Sequence, residues 1–138
     1  MIVLFLILLF AALARAQETP QAPVFTAEQA TAGKAAFERS CAACHMQNLS
    51  GDADAPALVG TSFMSTWRTR TTRDLREYMS TSMPPGSSPL GAEVYTSITA
   101  YVLKSNGATA GPEPLTATTA VPIGMATARP KAEGLRPK

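Results

Sequence analysis

The feature that most constrains this 138-residue chain is the run Cys41-Ala42-Ala43-Cys44-His45, which holds both of its cysteines and its only histidine. Two thiols three positions apart can close a disulfide, ligate a metal or be alkylated by a cofactor, and each use makes a different demand on the rest of the chain. A closed tetrahedral zinc site needs four Cys or His ligands. The run supplies three, and no others exist in the sequence, so only carboxylates could complete such a site. A thioredoxin-like dithiol needs a preceding strand and a βαβ context, whereas no segment here shows the alternation of a half-buried strand.

The third use makes no unmet demand. C-x-x-C-H is the attachment pattern of a c-type haem: the two sulfurs add to the vinyl groups, and the histidine that follows becomes the proximal iron ligand. Thiols one helical turn apart on a shared face reach two vinyl groups on one porphyrin edge, and the adjacent imidazole then points at the metal. The expected cofactor is haem c, attached through Cys41 and Cys44 with His45 on the iron.

The remaining composition fits a small domain built around such a group. Hydrophobic residues are 46% of the chain, but many are alanines or lie in the first fourteen positions. The net charge of +2, from 12 basic and 10 acidic groups, is too balanced for a nucleic-acid binder working through a basic face. Met1 to Ala14 is one apolar run, shorter than the roughly 20 residues that a membrane-spanning helix needs. It leads into Ala14-Arg15-Ala16, a small-x-small cleavage pattern. Residues 1–16 therefore read as a secretory signal peptide, with a mature chain beginning near Gln17. An uncleaved leader would instead tether the domain to a membrane.

Residues 17–25 read as a linker and 26–107 as the folded domain. A helix starts at Thr26, with Gln29 three residues on completing a capping box, and runs to about Arg39. A loop rich in Asn, Gly, Asp and Pro follows. Shorter helices are expected over Ser62–Arg70 and Thr72–Ser80, the second ended by Met83-Pro84-Pro85-Gly86. The strongest periodicity, over Gly91–Ser105, places Val94, Ile98, Tyr101 and Val102 on one face. From Ala108 to Lys138 the composition turns to Ala, Thr, Pro and Gly, which predicts a disordered tail.

With these elements in place, residues 25–107 resemble the class I, or small bacterial, c-type cytochromes. The resemblance implies an all-α fold of orthogonal helices around a single covalently bound haem. It matches Gly33 and Phe37 to the family's helix ahead of the haem motif, crossing Tyr101 of the last helix. Pro56 matches the proline whose carbonyl holds the ligand imidazole. Met83, at the head of the Met-Pro turn, matches the sixth iron ligand. Met79, one turn earlier, is the competing methionine. Trp67 is expected as an apolar pocket wall whose indole N–H reaches a haem propionate, Leu49 as a pocket lid and Leu58 as a further apolar contact. One of Arg68, Arg70, Arg73 and Arg76 is a candidate propionate partner.

His/Met ligation fills both axial positions. It leaves no site for bond chemistry and implies a one-electron carrier rather than an enzyme. The resemblance implies a periplasmic protein whose haem edge docks on redox partners, with a quinoprotein-type dehydrogenase or a terminal oxidase as candidates and no nucleic acid or stable membrane span. The alternatives are a membrane-tethered cytochrome c subunit of a larger redox complex, or an open-site haem sensor or peroxidase-like domain.

Overall fold

The computed structural model describes residues 23–128. The expected signal peptide, the linker up to residue 22 and residues 129–138 lie outside the described residues. Six helices occur among those described: α1 (Ala27–Ser40), α2 (Ala42–His45), α3 (Gly60–Trp67), α4 (Thr72–Ser82), α5 (Ala92–Ser105) and α6 (Ile123–Ala126). Extended pairing among them is limited to an isolated bridge between Thr71 and Pro122, so the all-α expectation holds.

α1 begins as its sequence dictates. Thr26 Oγ1 accepts from the Gln29 N–H at 3.2 Å, and the Gln29 side chain accepts from the Thr26 N–H at 3.2 Å. These reciprocal bonds satisfy donors that a helix start otherwise leaves unpaired. α1 crosses α5 at Gly33, where a Cβ would collide with the Ser97 carbonyl. The missing side chain is what lets the two backbones meet. One turn on, the Phe37 and Tyr101 rings pack with centroids 5.4 Å apart and planes tilted by 53°. Phe37, Ile98, Val102 and Leu103 are fully buried around this crossing. Each contributes about 1.5–3 kcal/mol of apolar burial.

α3 is displaced two to three residues toward the N-terminus of its expected span. It stops at Trp67 because the carbonyls of Arg68 and Arg70 are taken by the N–H groups of Gly124 and Ile123, both at 2.9 Å. The backbone there turns a corner instead of continuing the helix. α4 starts on a second capping box, between Thr71 and Asp74. It extends two residues past expectation, to Ser82, and is capped by Met83, whose extended backbone (φ −133°, ψ 141°) is the conformation demanded of a residue before proline.

The expected disordered tail is ordered over residues 108–128 and forms a strap. Leu115 and Ile123 are buried. Gln29 grips the strap's backbone in both directions, donating to the Leu115 carbonyl at 2.7 Å and accepting from its N–H at 2.8 Å. Thr72 does the same at the α3–α4 corner: its hydroxyl donates to the Thr119 carbonyl at 2.6 Å and accepts from the Val121 N–H at 3.2 Å, while its own N–H donates to the Val121 carbonyl at 2.9 Å. Average composition hid this because two well-placed apolar residues and a polar grip suffice to order a segment that docks on an existing core. Phe25, at the end of the expected linker, is also fully buried, and its carbonyl accepts from the Gly111 N–H at 2.9 Å.

Candidate haem site

A cavity of about 450 Å³ lies between α2, the loop after it, α3, the α4 end and the inner face of α5. That volume is in the range of roughly 300–1,000 Å³ in which proteins enclose cofactors. Cys41, Cys44 and His45 line it, together with Pro56, Leu58, Trp67, Met79 and Met83. The structure thus brings together every expected site residue except Leu49. Leu49 is buried but does not line the cavity. Its carbonyl accepts from the Leu58 N–H at 2.9 Å, and Leu58 stands on the cavity wall in its place.

The cysteine run is a single tight turn. The N–H groups of Cys44 and His45 both donate to the Cys41 carbonyl, at 3.2 and 2.9 Å, which presents both thiols and the imidazole from one short helix. Both cysteines are free; Cys41 is half-buried and Cys44 exposed. Burial pushes the Cys41 thiol up, with the neighbouring Cys44 adding to the effect.

His45 is buried, with 9% of its surface exposed, and its Nδ1 lies 2.8 Å from the Pro56 carbonyl oxygen. A carbonyl only accepts, so Nδ1 carries the proton and donates, and Nε2 keeps the lone pair that a metal needs. The acceptor is held by the loop before it. Gly51 has φ +64°, and a Cβ there would strike the backbone of Ala55 and Pro56. Its N–H donates to the His45 carbonyl at 3.1 Å. Asp52 then accepts from the N–H groups of Asp54 and Ala55, at 2.8 and 3.1 Å. The far end of the loop is tied to α5 by Asn106, whose amide donates to the Leu58 carbonyl at 2.9 Å and accepts from the Gly60 N–H at 3.1 Å.

On the α3–α4 side, Trp67 packs against Phe63 at 6.2 Å and meets the Tyr78 edge at 5.5 Å. The Arg70 guanidinium sits 5.1 Å from the Trp67 ring centroid, and Arg70 alone of the four candidate arginines lines the cavity. Arg73 and Arg76 approach Glu77, each at 3.9 Å, and the Arg68 carbonyl serves the strap. Sequence reasoning reads Gly51 only as part of the turn after the haem motif and Asn106 only as the cap of the last helix, and it passes over Tyr95. The Tyr95 hydroxyl donates to the Met83 carbonyl at 2.6 Å and accepts from the Leu90 N–H at 3.0 Å. Only Gly51 had a visible signal, a glycine within the loop that joins the histidine to Pro56.

These residues fit a covalently bound haem: paired thiols and an imidazole with a free lone pair on one short helix, methionines on the same cavity, and apolar walls around it. No curated protein matches the chain at a significant level. The fold is similar to the crystal structure of the sulfane dehydrogenase SoxCD from Paracoccus pantotrophus, with a TM-score of 0.52 and 25% identity, over 89% of this chain and 66% of that one. The family model described as cytochrome c oxidase, cbb3-type, subunit III matches residues 28–102, more than half of the chain. The chain therefore belongs to this family of small c-type cytochromes, electron-transfer domains with a covalently attached haem c.

Proposed function

We propose that this cytochrome is an exported, single-haem electron carrier in which His45 and Met83 are the axial ligands. The observation that carries the reading is that His45, with Nδ1 engaged by Pro56, shares one cavity with Met83. Bound haem c supplies reversible one-electron exchange at iron. The chain's own residues would form its surroundings: Leu58 and Trp67 would exclude water from the ring, and Arg70, held over Trp67, would offer a cation to a propionate. Met79 lines the same cavity. Met83 is favoured because its backbone is fixed on both sides while Met79 remains an ordinary helix position.

Export is supported by the leader-like residues 1–16 and by the chemistry of the family, and no described helix is long and apolar enough to cross a membrane. The partners proposed are a dehydrogenase as electron donor and a terminal oxidase as acceptor. The likeness to a sulfane dehydrogenase structure supports the first, and the oxidase-subunit family supports the second.

Optical spectroscopy of the holoprotein tests the ligation. The oxidised protein should show the weak far-red absorption of a methionine–iron(III) bond, and the reduced protein should resist carbon monoxide at neutral pH. Rapid carbon monoxide binding would establish the open-site sensor or peroxidase-like alternative instead. N-terminal sequencing of the exported protein should begin near Gln17; an intact leader would favour the tethered subunit.

A further inference from the structure

We infer that Tyr95 is a positioning residue for the Met83 thioether, acting through the backbone of the loop between α4 and α5. This rests on Met83 being the iron ligand. The loop, residues 83–91, is exposed from Pro85 to Pro89, and its hydrogen bonds are sparse. Within it, the Ser87 N–H reaches the Pro84 carbonyl at a long 3.4 Å. Among the described residues, the side chain that ties this loop to a helix by hydrogen bonds is Tyr95, near the start of α5 and 2% exposed. Its hydroxyl closes the loop by donating to Met83 O and accepting from Leu90 N–H, which satisfies both its donor and an acceptor lone pair.

The consequence falls on Met83. Its N–H donates to the Met79 carbonyl at 2.9 Å and its carbonyl accepts from Tyr95, so the peptide groups on either side of its Cα are both held. Pro84 fixes the next φ. The Cα–Cβ direction of Met83, and with it the reach of the sulfur, is thereby set by contacts the thioether does not make. Without the hydroxyl, Met83 O and Leu90 N–H lose their shared partner, and an exposed loop gains freedom to carry the methionine away.

The test compares wild-type, Tyr95→Phe and Tyr101→Phe holoproteins, titrated with imidazole in the oxidised state and followed by loss of the far-red methionine band. Tyr95→Phe removes both bonds of the hydroxyl; it should keep the band but bind imidazole on the order of tenfold more tightly, the factor that corresponds to the bond to Met83 O alone. Tyr101→Phe, which removes a hydroxyl remote from the loop, should match wild type. A Tyr95→Phe titration indistinguishable from wild type, in a wild type that has the band, overturns the inference and leaves the ligand reading standing. A wild type without the band, or Met83→Ala retaining it, sinks both. Should Tyr95→Phe fail to accumulate as holoprotein, amide exchange in wild type decides: the Leu90 N–H should exchange more slowly than those of Ser87 and Ser88, and equal rates overturn the proposal.

Discussion

His45 Nδ1 and the Pro56 carbonyl oxygen, 2.8 Å apart, form a hydrogen bond whose acceptor is backbone. Its geometry therefore depends on the loop's path and only indirectly on the proline ring. Gly51 sets that path by its φ of +64° and by lying against the Ala55–Pro56 backbone.

Gly51→Ala should accordingly do more than a substitution at Pro56 itself. The left-handed conformation alone costs an alanine roughly 1–2 kcal/mol, and the clash adds to it. Denaturant unfolding of the holoprotein should show at least this loss. A displaced Pro56 carbonyl also makes the imidazole less basic and a weaker donor to ferric iron, so the reduction potential should rise. A potential that is unchanged while stability falls would mean the loop supports the fold without tuning the ligand.

Met83→Ala and Met79→Ala separate the two methionines that share the cavity. The first should abolish the far-red band, admit carbon monoxide and lower the potential, since methionine ligation is what raises it. The second should keep the band and cost at most about 2 kcal/mol, the low end of the range for deleting a methionine side chain, because Met79 is only half-buried. Loss of the band in Met79→Ala alone would reverse the assignment.

What the sequence made legible follows from how local each signal is. The α1 start, the Gly33 crossing and the placement of Pro56 near His45 depend on residues a few positions apart, or on a family pattern carried by single residues. Tyr95 was invisible because its meaning lies in an oxygen atom that meets two backbone groups from a different element. The strap was misread for a similar reason. Its Ala, Thr and Pro content describes a chain in isolation, whereas Gln29 and Thr72, far away in sequence, supply the bonds that order it. Leu49 illustrates the opposite error: an apolar residue near the motif looks like pocket lining until the loop's backbone puts Leu58 there.

The Asp74 carboxylate gives a pH signature. The Thr71 N–H donates to it at 2.8 Å, and this bond, followed by that of the Thr71 side chain, holds its pKa below the ordinary aspartate value. A group whose folded pKa is depressed contributes stability above its unfolded pKa and loses it as pH falls through the folded one. The α4 cap should therefore support the fold at neutral pH and weaken below about pH 4. Asp74→Asn should be less stable than wild type at pH 7, and the difference should close in acid. A gap that persists unchanged at low pH would show that the charge is not the source.

Ile123 provides the test of the strap. It is fully buried on α6, and its N–H bonds the Arg70 carbonyl at the corner that carries Trp67 and Arg70 to the cavity. Ile123→Ala keeps that backbone bond and removes only side-chain packing. A buried isoleucine cut to alanine costs about 2–5 kcal/mol, so thermal or denaturant unfolding should shift by that amount, whereas a disordered tail would give no change. If the strap also sets the corner, the variant should quench Trp67 fluorescence in the haem-free chain differently from wild type and loosen the Arg70 contact over its ring. A stability loss with unaltered Trp67 emission would confine the strap's role to the core beneath it.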